Sequence, residues 1–165
     1  MLRRLLLLVA APVIALMVAS PAQAEVPAPP AAPAVVAPKV LMSQVITMTN
    51  QQRAANGCKR LLAVDQELVV ASVRQSVYMA RTGLFSHVWR DGTTFVRRSH
   101  LAGYAQPSGE NIAWGYRTAT EVMDAWMASP HHRANILNCG AKSIGSGVVY
   151  AANGTPYYTQ VFGWE

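Results

Sequence analysis

Ile144-Gly145-Ser146-Gly147-Val148-Val149-Tyr150 and Tyr157-Tyr158-Thr159-Gln160-Val161-Phe162 are two β-rich runs near the end of a 165-residue chain. Branched and aromatic side chains suit a pleated, half-buried surface. Asn153-Gly154 lies between the runs and signals a hairpin, although the connection is longer than two residues. Gly109-Glu110-Asn111-Ile112-Ala113 supplies a further strand.

The rest of this part of the chain reads as helix. Ser43 to about Asn56 carries Val45, Ile46, Met48 and Ala54 on one face. Asp65, Gln66 and Glu67 open a second helix with negative charge at its start, and Gly83 stops it. Thr93 or Thr94 caps a short third helix through Phe95 and Leu101, ending at Gly103. Thr118-Ala119-Thr120-Glu121 has the spacing of a capping box and starts a fourth, limited by Pro130. Helices beside a small antiparallel sheet make an α+β layered domain.

The N-terminal region has a different character. Met1-Leu2-Arg3-Arg4 is a basic lead-in, Leu5 to about Ala19 is apolar, and Ala22-Gln23-Ala24 is the small-x-small pattern that signal peptidase reads. The apolar run is short for a bilayer span and Pro12 interrupts it. Residues 1–24 are therefore expected to be a cleaved signal peptide, with an uncleaved anchor as the alternative. Pro27, Pro29, Pro30, Pro33 and Pro38 mark residues 25–39 as an extended Pro/Ala-rich linker. Residues 40–165 then form one domain, long enough for a single core.

Cleavage removes Arg3 and Arg4 and lowers the formal charge from +6 to +4. The basic residues are scattered and no basic-aromatic stripe is present, which argues against nucleic acid. A modest positive charge favours loose association with anionic polymers or headgroups. Cys58 and Cys139 are the two cysteines. In an oxidising compartment they suggest one disulfide closing a long loop, worth roughly 4 kcal/mol. Two unpaired buried thiols are the alternative.

Three stretches concentrate the chemistry: Phe85-Ser86-His87, Gly109 to Ala113, and Ser129-Pro130-His131-His132-Arg133. His87, His132 and Glu110 have the ligand types of a two-histidine, one-carboxylate metal centre with an open position for water. Neither Gly-x-Ser-x-Gly nor His-Glu-x-x-His occurs, so no hydrolase signature is present. Ser86 beside His87 and Ser129 near His132 are loose nucleophile candidates. Trp126, Tyr158 and Phe162 read as core, His100 and His131 as surface, and Arg133 as the partner of a carboxylate.

These stretches resemble the bacterial branch of the CAP superfamily (cysteine-rich secretory, antigen 5 and pathogenesis-related-1 proteins; the SCP domain). The resemblance rests on Phe85-Ser86-His87, Asp91-Gly92, Ala102-Gly103-Tyr104, Gly109 to Ala113, Trp126 to Pro130, His132-Arg133, Asn135-Ile136-Leu137 and Tyr158 to Gly163. Asn50 and Arg53 fit the same pattern.

The resemblance implies a three-layer α-β-α sandwich with a central cleft. In eukaryotic members that cleft holds two histidines and two glutamates able to bind zinc or another divalent metal. His87 and Glu110 match the first of each. Ser129 stands at or near the second glutamate, Tyr157 at the second histidine, and His132 is the substitute. The expected cleft is therefore His87, Glu110, His132, Ser129 and Tyr157, with His87, His132 and Glu110 as metal ligands.

The expected function is that of a secreted, monomeric binding or interaction module at the cell exterior or wall. Its ligand would be a lipid, a sterol, a wall component or an extracellular protein. The alternative is a metal-dependent hydrolase acting on peptide or wall substrates.

Overall fold

The expected hairpin forms from two eight-residue strands, with the turn at Ala151–Thr155 between them. The structure, a computed structural model, describes residues 35–165. The expected signal peptide and nearly all of the linker lie outside the described residues. Those residues hold helices α1 (Pro38–Ala55), α2 (Gln66–Thr82), α3 (Phe95–His100), α4 (Ala119–Ala128) and α5 (Pro130–Ile136). The strands are β1 (Ala63–Val64), β2 (Pro107–Trp114), β3 (Ser143–Tyr150) and β4 (Pro156–Gly163).

The sheet order is β1-β3-β4-β2. Both β3 and β2 run antiparallel to β4, while the short β1 runs parallel to β3 and makes the sheet mixed. Residues paired across antiparallel strands share a face. Glu110 opposite Val161 and Ile112 opposite Thr159 therefore face one way, and Asn111 opposite Gln160 and Ala113 opposite Tyr158 the other.

The second face holds the main core. Ile144, Val148, Tyr158 and Phe162 pack there with Leu41 and Val45 of α1 and with Val122 and Trp126 of α4. The first face is covered by α2, which lies directly against the glycines Gly145 and Gly147 of β3. A smaller apolar cluster of Leu68, Tyr104 and Val161, with Phe95 of α3 against it, sits on that side. Helices on both faces make the three-layer α-β-α sandwich.

The helix signals act as expected. The Asp65 carboxylate accepts from the Leu68 N–H at 2.9 Å, and Gly83 closes α2 in the left-handed region. Thr94, rather than Thr93, caps α3. Thr118 and Glu121 form the capping box of α4.

Two starts differ from the sequence reading, both at prolines. Pro38 opens α1 five residues before Ser43, and Pro130 opens α5 as well as ending α4. Proline is pre-organised for the first helical position and forces its predecessor to extend, as Ser129 does at φ −92° and ψ 120°.

Cys58 and Cys139 form a disulfide across a sequence separation of 81. Beside it the fully buried Arg53 guanidinium donates to the Ile136, Asn138 and Ala141 carbonyls at 2.9, 2.8 and 3.1 Å. The turn after α5 is thereby tied to α1 through side-chain hydrogen bonds. Asn50 plays a similar part at Leu62, accepting from its N–H and donating to its carbonyl.

Candidate functional site

Glu110 lies on the edge strand β2, on the face covered by α2 and α3, with a side chain 1% exposed. A carboxylate so buried must be paired and hydrogen-bonded. Nη2 of Arg98, on α3 and equally buried, donates to Oε2 at 2.7 Å. Nδ1 of His87 lies 2.8 Å from Oε1. An ionised carboxylate is acceptor-only, so Nδ1 carries the proton and Nε2 is left outward-facing on an imidazole 49% exposed.

The loop carrying His87 is braced on several sides. Arg98 donates from Nη2 to the His87 carbonyl at 3.1 Å and from Nη1 to the Thr93 carbonyl at 3.0 Å. Its guanidinium lies 5.5 Å from the centre of the Trp89 ring, which stacks on Tyr78 at 4.9 Å. Buried Gln75 of α2 donates to the Ser86 carbonyl and accepts from the Trp89 indole N–H, both at 2.7 Å. The Ser86 hydroxyl accepts from the Val88 N–H in a local turn, which is a structural use rather than that of a nucleophile.

His132 is carried by α5, on the other side of β2. Its carbonyl accepts from Asn111 Nδ2 at 3.1 Å. Burial holds its imidazole below the ordinary pKa of 6.5, and the charges of His87 and His131 add to that effect. Asn135 of α5 donates to the Glu110 carbonyl at 3.2 Å and to Asn111 Oδ1 at 2.9 Å, while Asn111 Nδ2 also reaches Gln160 Oε1. Trp126 Nε1 donates to the Ile112 carbonyl at 3.1 Å.

Tyr157 stands opposite Trp114, and their rings stack at 6.4 Å and 22°. Trp114 is 53% exposed and shares a face of β2 with Glu110, about 14 Å away by strand rise. Ser129 joins α4 to α5, half-buried, and its carbonyl takes the Arg133 N–H. Arg133 is exposed and has no ion-pair partner among the described residues, contrary to the expected carboxylate pairing. His100 and His131 are exposed, and Trp126, Tyr158 and Phe162 are buried.

A zinc or other divalent centre built on His87, His132 and Glu110 does not fit this arrangement. Both oxygens of Glu110 already accept from N–H donors. Among the described residues no three His, Cys, Asp or Glu side chains come together to hold an ion. His87 and Glu110 are joined by a hydrogen bond; His132 is carried by α5, a different support. A surface groove of about 460 Å³ opens elsewhere, between Leu41, Gln44 and Met48 of α1 and Thr118-Ala119 at the start of α4.

Arg98 and Trp114 are the site residues that the sequence reading did not single out. A signal for Arg98 was present. It follows Phe95 by three positions and so lies on the inward face of α3, where an arginine implies a buried acid.

The profile of the Cysteine-rich secretory protein family, CAP, matches residues 46–162. The chain belongs to this family. It is 34% identical over 121 residues to the uncharacterized protein YkwD of Bacillus subtilis, covering 73% of this chain and 46% of that protein. In structure it is similar to an extracellular protein containing an SCP domain from Bacillus anthracis. That match has TM-score 0.71 and 28% identity over 78% of this chain and 41% of the other. It also shares its fold with an outer surface protein of Borrelia burgdorferi, at TM-score 0.69 and 20% identity over 76% and 92% of the two chains. The chain thus spans less than half the length of YkwD and of the Bacillus anthracis protein.

Proposed function

We propose that this domain is an extracellular recognition module that binds its ligand and does not cleave it. The observation that carries this reading is the double engagement of Glu110. A general base needs a carboxylate oxygen within reach of the proton it takes, and Glu110 is sealed beneath Arg98 and His87 with its side chain 1% exposed. What faces outward is suited to recognition: the Nε2 side of His87 and the exposed ring of Trp114 stacked on Tyr157. Rigid aromatic groups of this kind supply contact area at small entropic cost. The ligand is a wall fragment or a lipid at the cell exterior, in keeping with the extracellular and outer-surface descriptions of the two bacterial proteins that share the fold.

Co-sedimentation of purified protein with insoluble peptidoglycan and with anionic lipid vesicles tests this. The expected result is retention by one of them, weakened about tenfold or more in Trp114→Ala/Tyr157→Ala. No retention by either, together with turnover of labelled peptide or wall material that Glu110→Gln abolishes while the fold survives, would establish the hydrolase instead.

A further inference from the structure

We infer that the cation of this site is built into the chain: the Arg98 guanidinium occupies the place at Glu110 that a divalent ion would need. Several contacts hold that placement. Arg98 and Glu110 are each 1% exposed in their side chains, so the pair is sealed from water. The guanidinium uses Nη1 and Nη2 on three acceptors at once, the Glu110 carboxylate and the Thr93 and His87 carbonyls. Its Cζ lies 5.5 Å from the centre of the Trp89 ring, which Tyr78 and Gln75 hold in turn.

An arginine is charged at every accessible pH. A metal ion reaching Glu110 would have to displace it from a buried carboxylate and leave a buried guanidinium without its counter-charge, which is strongly unfavourable. The geometry also preassembles the site. Arg98, which pairs with Glu110, also fixes the backbone of His87, so the imidazole is oriented with no ion present. Arg98 is therefore a positioning residue, acting on the ligand face through His87 and Glu110.

The inference concerns the same site as the binding reading, but a metal titration uses no other ligand, so the two fail separately. With ¹³C-labelled glutamate, excess zinc added to wild-type protein at neutral pH should leave the Glu110 carboxyl resonance in place. Movement of that resonance in step with added metal would overturn the inference. Calorimetry of Arg98→Gln supplies the converse. Removing the internal charge should tighten zinc binding about tenfold or more, and Arg98→Gln/Glu110→Gln should cancel the gain. Equal zinc affinity in wild type and in folded Arg98→Gln would likewise overturn it. Should Arg98→Gln fail to fold, the wild-type resonance experiment decides alone.

Discussion

Gly145 of β3 lies so close to Leu68 of α2 that a Cβ on the glycine would overlap the leucine's backbone carbonyl. Gly147 stands in the same relation to Ser72, one turn along the helix. The two glycines cut a track in the sheet into which α2 is laid backbone to backbone. The neighbours are main chain on both sides, so neither can step aside by changing rotamer.

Gly145→Ala or Gly147→Ala is therefore expected to destabilise the domain by about 1–3 kcal/mol or more, the usual cost of forcing atoms into a packed interior. Urea denaturation measures it. A midpoint unchanged from wild type in both variants would contradict the close approach.

Part of this was legible beforehand. Ile144 to Tyr150 and Tyr157 to Phe162 read as strands, and Asn153-Gly154 marks the hairpin between them; that Gly145 and Gly147 leave one face bare for a helix emerges only in the fold. The capping box at Thr118 and the stop at Gly83 also located helix ends by local chemistry alone. Helix α5 was not legible, because a proline that ends one helix and a proline that opens the next are the same residue, Pro130. Strand β1 escaped notice because two residues carry no periodicity.

The candidate site divides in the same way. The sequence puts His87, Glu110 and His132 forward as one set of ligands; in the structure His87 and Glu110 share a hydrogen bond, and His132 is carried by α5. That Arg98 fills the space between their elements depends on α3 folding back against β2, a tertiary event with no local signature. Tyr157 was noted as a missing histidine, but its stacking on Trp114 depends on the register of β2 against β4.

Replacing Arg53 should show how much of the fold hangs on one guanidinium. Arg53→Met keeps much of the apolar stem and leaves the carbonyls of Ile136, Asn138 and Ala141 without these donors. A buried acceptor left unpaired costs about 1–3 kcal/mol, so a loss of about 3 kcal/mol or more is expected. Chemical denaturation followed by far-UV circular dichroism reads it directly.

The disulfide should contribute roughly 4 kcal/mol through the loop it closes. Cys58→Ala/Cys139→Ala is expected to melt about 10 °C or more below the oxidised protein. Reductant should lower the melting point of wild type and leave that of the double variant unmoved. Equal melting points of oxidised wild type and double variant would show that the loop is constrained already, by Arg53 among others.

His132 gives the domain a pH response of predictable sign. Its pKa is lower in the folded protein than in the unfolded chain, chiefly through burial. The unfolded state therefore binds the proton more tightly. The contribution of neutral His132 is complete above about pH 6.5 and is lost as pH falls through the folded value. His132→Gln should flatten the stability profile below pH 6.5, measured by denaturant midpoints across that range. NMR titration of the wild-type ring should find it titrating below 6.5, and a value above it would reverse the sign.

Strand β2 ends the sheet, and an open strand edge normally invites a second molecule to continue the ladder. Here the carbonyls of Glu110 and Ile112 are stoppered by Asn135 and Trp126. A neighbouring chain that approached this edge would have to share or displace those side-chain donors. The side chains beside the candidate site thus also cover part of the sheet edge, and a substitution at Asn135 chosen to alter binding would bare the Glu110 carbonyl there.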